Sequence, residues 1–303
     1  MGRSGAATAL FCPVAPLDRA SDPSESAPMA FLAPRTQRRM KKGGPAETIR
    51  FLLLVFLIAL VFRTFIFAPF MIPTGSMLPR MMIGDYLFVA KWPYGVSRYS
   101  LPFGLGGFDG RWFATEPKRG DIVVFRFPGS DQDYVKRLIG LPGDRIQMRS
   151  GQLYLNDRRV PRVRIADWLM PRSPNSPCRY VDPDRRLPPV VEAGKAYCRY
   201  VRYRETLPGG RAYDIIDQLP DGAGDDTPVL TVPAGHYFMM GDNRDDSEDS
   251  RFPLSVGGVG FLPADNLIGR AEIIFFSTDG SASWARPWTW FTATRWDRIG
   301  DTY

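Results

Sequence analysis

Two patterns of apolar positions divide this chain. Phe51 to Phe62 is a continuous apolar stretch; Arg63 and Thr64 interrupt it, and Phe65 to Phe70 resume it. A helix crossing the hydrocarbon core needs about 20 residues, and the stretch around Ile49 to Phe67 supplies them, so a transmembrane anchor is predicted over 47–68. From Asp85 onward the pattern turns to short β-branched and aromatic runs. Tyr86–Lys91, Asp121–Phe127, Tyr134–Ile139, Gly151–Asn156, Leu230–Val232, Tyr237–Met240 and Gly269–Phe276 each read as a strand. Turn formers such as Pro142-Gly143-Asp144 separate them. The predicted fold is mostly β: one N-terminal transmembrane helix, then an antiparallel β domain with little further helix.

The remaining stretches lack such periodicity. Residues 1–46 are rich in Ala, Pro, Ser and Arg and read as a disordered tail, with Met29 and Met40 as alternative starts. Residues 158–228 carry Pro171, Pro174, Pro177, Pro183, Pro188 and Pro189 among many Arg and Asp. They read as an insertion between a first core part (69–157) and a second (229–303), and loops of this kind usually matter little for chemistry. The last part holds Trp284, Trp288, Trp290 and Trp296. Indoles favour the lipid–water interface, so these rings either rest on a membrane or close the β core.

Charge fixes a direction. The net charge is +7, and Arg35, Arg38, Arg39, Lys41, Lys42 and Arg50 precede or open the apolar stretch. Basic residues beside an anchor stay in the cytoplasm, so the domain after Phe70 is expected outside. No nucleic-acid recognition motif accompanies the charge, and nucleic acid is not expected as a partner. A cleaved secretory signal would also carry a basic region and an apolar core. However, no clean small-x-small site follows, and Pro69 and Pro73 crowd its place. An uncleaved anchor is the expectation.

Cysteine and histidine narrow the chemistry. The three cysteines are Cys12, Cys178 and Cys198. An extracytoplasmic Cys178–Cys198 bridge is permitted and would contribute on the order of 3 kcal/mol; two free thiols are the alternative. His236 is the single histidine, so a zinc site built on several imidazoles is excluded. It sits where a turn enters a strand, which suits a structural role better than a triad.

Three segments are hard to explain by packing. They are Ile72-Pro73-Thr74-Gly75-Ser76-Met77-Leu78-Pro79, Tyr134-Val135-Lys136-Arg137-Leu138-Ile139-Gly140 and Gly241-Asp242-Asn243-Arg244-Asp245-Asp246-Ser247-Glu248-Asp249-Ser250-Arg251. Amide hydrolysis needs a nucleophile, a base and an oxyanion site. With no histidine base available, a lysine becomes one only where burial disfavours its charge. Val135, Leu138 and Ile139 give Lys136 apolar neighbours, and strand alternation turns Arg137 to the other face. Ser76 follows Pro73 and Gly75, residues that bring backbone close to a ligand.

In order and spacing, these segments resemble the type I signal peptidases, membrane-anchored Ser/Lys proteases that remove signal peptides from exported proteins. The resemblance runs in pieces from about Arg50 to Arg270. It implies Ser76 as nucleophile, Lys136 as general base, and an oxyanion site from the Ser76 N–H and the Thr74 hydroxyl, where the family commonly has Ser. It implies that Ser247 hydrogen-bonds the lysine and that Asp249 and Arg251 form a supporting ion pair. Asp246 stands where the family commonly has Asn and is expected to point outward. Phe70, Ile72, Met77, Tyr134 and Val135 are the implied lining of shallow pockets for small side chains, typically Ala, before the cut. The extended substrate would add as a strand. No metal or cofactor is implied. The implied partners are preprotein signal peptides, membrane lipid and a neighbouring translocation machinery, at a bacterial inner membrane with the catalytic domain outside. The rivals are a specialised maturation peptidase of a secretion or conjugation system, an autoproteolytic repressor and a non-enzymatic tethered binding domain. The repressor should carry a DNA-binding domain and lack an anchor.

Overall fold

The computed structural model describes residues 44–100 and 110–303; the expected tail lies outside these as far as residue 43. Helix α1, Pro45–Phe65, opens on a proline, which suits the first turn of a helix. It is 21 residues long, and its most apolar window has a mean hydropathy of 2.2, enough to cross a membrane by length and composition. The helix begins and ends earlier than the predicted 47–68. Pro69 cannot continue it and holds Ala68 extended, so Phe67 and Ala68 instead open strand β1, Phe67–Met71.

Twelve further strands suffice to place the site: β2 Asp85–Ala90, β3 Ile122–Arg126, β4 Asp133–Gly140, β5 Arg145–Arg149, β6 Gln152–Leu155, β7 Arg162–Pro171, β8 Val190–Glu192, β9 Lys195–Thr206, β10 Ala212–Ile216, β11 His236–Met240, β12 Leu262–Pro263 and β13 Leu267–Ser277. A seven-stranded sheet has the order β1-β2-β13-β3-β4-β11-β12, antiparallel throughout. Its centre is covered on both faces. Ile122 and Val124 of β3 enter one apolar cluster with Ile72, Met77, Leu87 and Val89. Val123 and Phe125 enter another with Leu138, Tyr237, Met239 and Leu267. Two-sided burial explains why β3 reads as a continuous apolar run rather than an alternation. The hairpin β5–β6 packs beside it through Ile146, Met148, Leu153 and Leu155.

The insertion is a sheet in its own right. β7 and β8 flank β9, and β10 pairs with the far half of β9. Arginines alternate with aromatic and β-branched residues along β9, a pattern that the proline-rich segments around it obscure. Cys178 and Cys198 form a disulfide with a Cα–Cα distance of 5.3 Å, which settles the open alternative for this pair. Tyr200, Cys198, Met170, Ile216 and Leu78 share one buried cluster, so the insertion sheet rests on the turn that carries Ser76.

At the C-terminus, Arg298 reaches the buried Asp85 at 2.6 Å, and Ile273 bridges Thr302. Trp284, Trp288 and Trp296 are exposed. They do not close the β core, and Trp284 instead meets Trp290 edge to face at 4.8 Å.

Candidate active site

Lys136 stands on β4 with Tyr134 and Leu138 on the same face, directly across from Val123 of β3. It is 4% exposed and Val123 is fully buried. Its Nζ lies 2.7 Å from Ser76 Oγ. Burial is the largest influence on the amine and lowers its pKa from an ordinary 10.5 to about 8. Asp249, Glu248 and Asp246 pull the other way, and Arg251 adds to the lowering.

The turn around Ser76 is pinned from the Gly241–Arg251 loop. Asn243 donates its backbone N–H to the Ser76 carbonyl at 3.0 Å and its side-chain amide to the Gly75 carbonyl at 3.1 Å. Gly241 has no room for a side chain: an added Cβ would lie 2.2 Å from Ser247 Oγ and 2.7 Å from the Ser76 carbonyl oxygen. Gly241→Ala is therefore expected to displace the nucleophile and lower kcat about 100-fold, the cost of roughly an ångström of misplacement. Steady-state cleavage assays, with a thermal melt to show that the variant folds, check this.

The supporting residues behave unequally. Asp249 and Arg251 form a fully buried pair at 2.9 Å, and Asp249 also accepts the Gly241 N–H at 3.0 Å. Burial alone would push the Asp249 carboxyl up, but Arg251 and these N–H donors hold it below the usual carboxylate range. Ser247 is buried beside the dyad, yet its Oγ has no hydrogen-bond partner among the described residues. The bond to Lys136 that the resemblance implied is not formed here; Lys136 Nζ bonds Ser76 Oγ. Asp246 does not point outward. It lines the cleft, with its carboxylate on Arg179 at 3.2 Å. The turn that carries it folds back over Gly75.

The dyad opens into a cleft of about 840 Å³. Thr74, Ser76, Tyr134, Val135 and Lys136 line it, and Thr74 is exposed at the rim. Ile72 and Met77 are in the core cluster beneath and do not line the cleft, while Phe70 packs against that same cluster. Their position follows from β1 and the turn after it: alternate residues there face the sheet interior. Phe252, Val256, Gln132 and Arg179 line the cleft without having been picked out from sequence. Arg179 comes from the insertion, so that segment does reach the cleft.

Behind β4 lies a second buried pair. Arg137, on the face opposite Lys136, bonds Asp242 twice, at 2.7 and 2.6 Å, and donates to the Gly120 carbonyl at 2.9 Å. Arg244 of the same loop pairs with the buried Glu205 of β9 at 2.8 Å. The alternation of β4 predicted the orientation of Arg137. Its partner was beyond reach, since pairing across 105 positions leaves no local mark. His236 donates its Nδ1–H to the Ala234 carbonyl, 2.9 Å away, and does not line the cleft.

Comparison with known proteins gives one family. The profile described as "Signal peptidase, peptidase S26" matches residues 46–276. A Signal peptidase I of Rickettsia prowazekii (strain Madrid E) is 41% identical over 234 residues, 74% of this chain and 77% of that protein. A Signal peptidase I of Rickettsia typhi (strain ATCC VR-144 / Wilmington) gives the same identity and the same coverage. A crystal structure of a signal peptidase I from Enterococcus faecalis V583 aligns at 25% identity over 52% of this chain and 97% of that chain, with a TM-score of 0.26, too low to bear on the fold.

Proposed function

We propose, from the premise that this chain belongs to the signal peptidase family, peptidase S26, that Ser76 is its nucleophile and Lys136 its general base. The chain is a membrane serine endopeptidase that removes signal peptides. The observation that carries the residue assignment is the 2.7 Å approach of Lys136 Nζ to Ser76 Oγ at a buried position.

The chemistry follows from that contact. Neutral Lys136 takes the Ser76 proton as Oγ attacks the scissile carbonyl carbon. The developing oxyanion is received by the Ser76 N–H and the Thr74 hydroxyl. Lys136 then gives its proton to the leaving amine, and the signal peptide stays as an ester on Ser76. Water, deprotonated by Lys136, attacks the ester, and the proton returns to Ser76 Oγ. Asp249 and Arg251 hold the loop that pins Ser76. Tyr134 and Val135 offer the apolar wall against which a small side chain before the cut would sit.

Helix α1 anchors the chain, with the basic segment in the cytoplasm and the β domain outside. The exposed Trp284, Trp288 and Trp296 suit contact with lipid at the headgroup level, which brings the cleft to a membrane-borne substrate. A neighbouring translocation machinery would deliver that substrate.

The test is cleavage of a preprotein whose signal ends in Ala-x-Ala by the full chain in detergent. Cleavage is expected after the second Ala, and replacing that Ala by Leu should lower kcat/KM by roughly 100-fold, since a filled shallow pocket rejects extra bulk. Cleavage at other sites, or indifference to the Leu, overturns the substrate reading.

A further inference from the structure

Asp246 places a carboxylate in the cleft beside the general base, where it favours the charged amine. Its ion-pair partner among the described residues is Arg179, with Nε 3.2 Å from Oδ2 and an Nη2–Oδ1 contact of 3.3 Å. Arg179 belongs to the insertion and follows Cys178 directly. The disulfide to Cys198 ties that point to β9. Its backbone N–H donates to the Tyr200 hydroxyl at 2.9 Å, and the Tyr180 and Tyr200 rings lie 5.2 Å apart. A half-exposed arginine ordinarily loses much of an ion pair to side-chain entropy; here three constraints fix the backbone that presents it.

We propose that Arg179 is a positioning residue of the reaction: held by the Cys178–Cys198 disulfide, it offsets the Asp246 carboxylate and keeps Lys136 available as a base. This rests on the Ser76/Lys136 reading above.

The other charges around Lys136 have partners of their own or face solvent. Asp249 is paired with Arg251, and Glu248 is solvent-exposed. Arg137, on the far face of β4, is paired with Asp242. Asp133, also lining the cleft, is paired with Arg126 at 2.8 Å, and Asp245 accepts the N–H groups of Gln218 and Leu219. Tyr134 contributes a ring face 5.5 Å from Nζ. Asp246 is thus the cleft carboxylate paired with an arginine of the insertion.

The experiment is the pH profile of kcat/KM for the full chain in detergent. Its acid limb reports the free enzyme's base. Arg179→Gln should move the limb midpoint up by roughly half a pH unit, about threefold lower activity on the limb, as expected for a screened charge several ångströms away. Asp246→Asn should move it down, and the double variant should return near the wild type. Cys178→Ser/Cys198→Ser should move it up as Arg179→Gln does. The midpoint, not the plateau, is read, so lost cleft contacts do not imitate the effect. A midpoint unmoved in Arg179→Gln overturns the role of Arg179; one unmoved only in the cysteine variant overturns the tether. If Lys136→Ala still cleaves, the dyad itself fails, a result separate from either.

Discussion

Lys136→Met is expected to lose cleavage activity by at least about 1,000-fold while the protein becomes more stable. The loss follows from removing the base, and Ser76→Ala should lose as much. The Ser76→Ala/Lys136→Met double variant should lose little more than either single change, because groups that act as a unit are grossly non-additive. The gain in stability follows from the pKa. The amine titrates near 10.5 when solvated and about 8 in the folded site, with burial the main cause. Between pH 8 and 10.5 the unfolded chain keeps a proton that the folded site has given up, so wild-type stability rises as pH climbs through that range and the full penalty stands below it. Met fills similar space with no charge to desolvate, so its advantage is largest below pH 8. The displacement corresponds to about 3 kcal/mol at most, and the advantage vanishes above the solvated pKa. Thermal melts at pH 7 and pH 10.5 measure this. A Met variant less stable than wild type at pH 7 would show that the lysine is not desolvated. The same displacement sets the activity profile: kcat/KM should fall tenfold per pH unit below about 8.

How much of the structure is legible in the sequence depends on the range of each interaction. The antiparallel β domain followed from short β-branched and aromatic runs between turn formers, because both signals are local. Ser76 and Lys136 stood out through the order and spacing of three segments that together resemble the family; alone, one reads as part of an ordinary turn and the other as a surface lysine. Other features differ from the sequence reading. Asp246 was expected outward because a carboxylate beside a catalytic lysine opposes catalysis; it turns inward because Arg179, distant in the chain, meets it. Ile72 and Met77 were assigned to the pocket but belong to the core beneath it, a difference of facing that a turn between strands conceals. The insertion read as loop because its prolines outweighed the Arg/aromatic alternation of β9. Asn243 lay within a recognised segment, yet its hold on Gly75 and Ser76 joins elements 168 positions apart, and no local pattern reports that.

Arg137→Met should destabilise the fold by about 3–5 kcal/mol, the usual cost of stranding one member of a buried ion pair. Arg137 and Asp242 are 5% and 1% exposed. The guanidinium makes two bonds to the carboxylate and a third to the Gly120 carbonyl, and it lies over the Tyr213 ring at 4.2 Å. Removing it leaves Asp242 charged, buried and without its cation, and frees the Gly120 carbonyl. In a domain of this size the loss lowers Tm by roughly 10 °C. The Arg137→Met/Asp242→Leu double variant removes both charges and should recover most of the stability, because two desolvated ions cost about what their attraction returns. Activity should separate the two roles of the pair. Asp242 begins the loop that carries Asn243, and Arg137 adjoins Lys136 on β4, so the pair ties the strand of the base to the loop that pins the nucleophile. The double variant is therefore expected to melt near the wild-type temperature and yet cleave about 10- to 100-fold more slowly, the cost of a misplaced dyad. Thermal melts and steady-state cleavage on the same three preparations decide it. Full activity in the double variant would mean that packing alone aligns the dyad, with the ion pair contributing only to the fold.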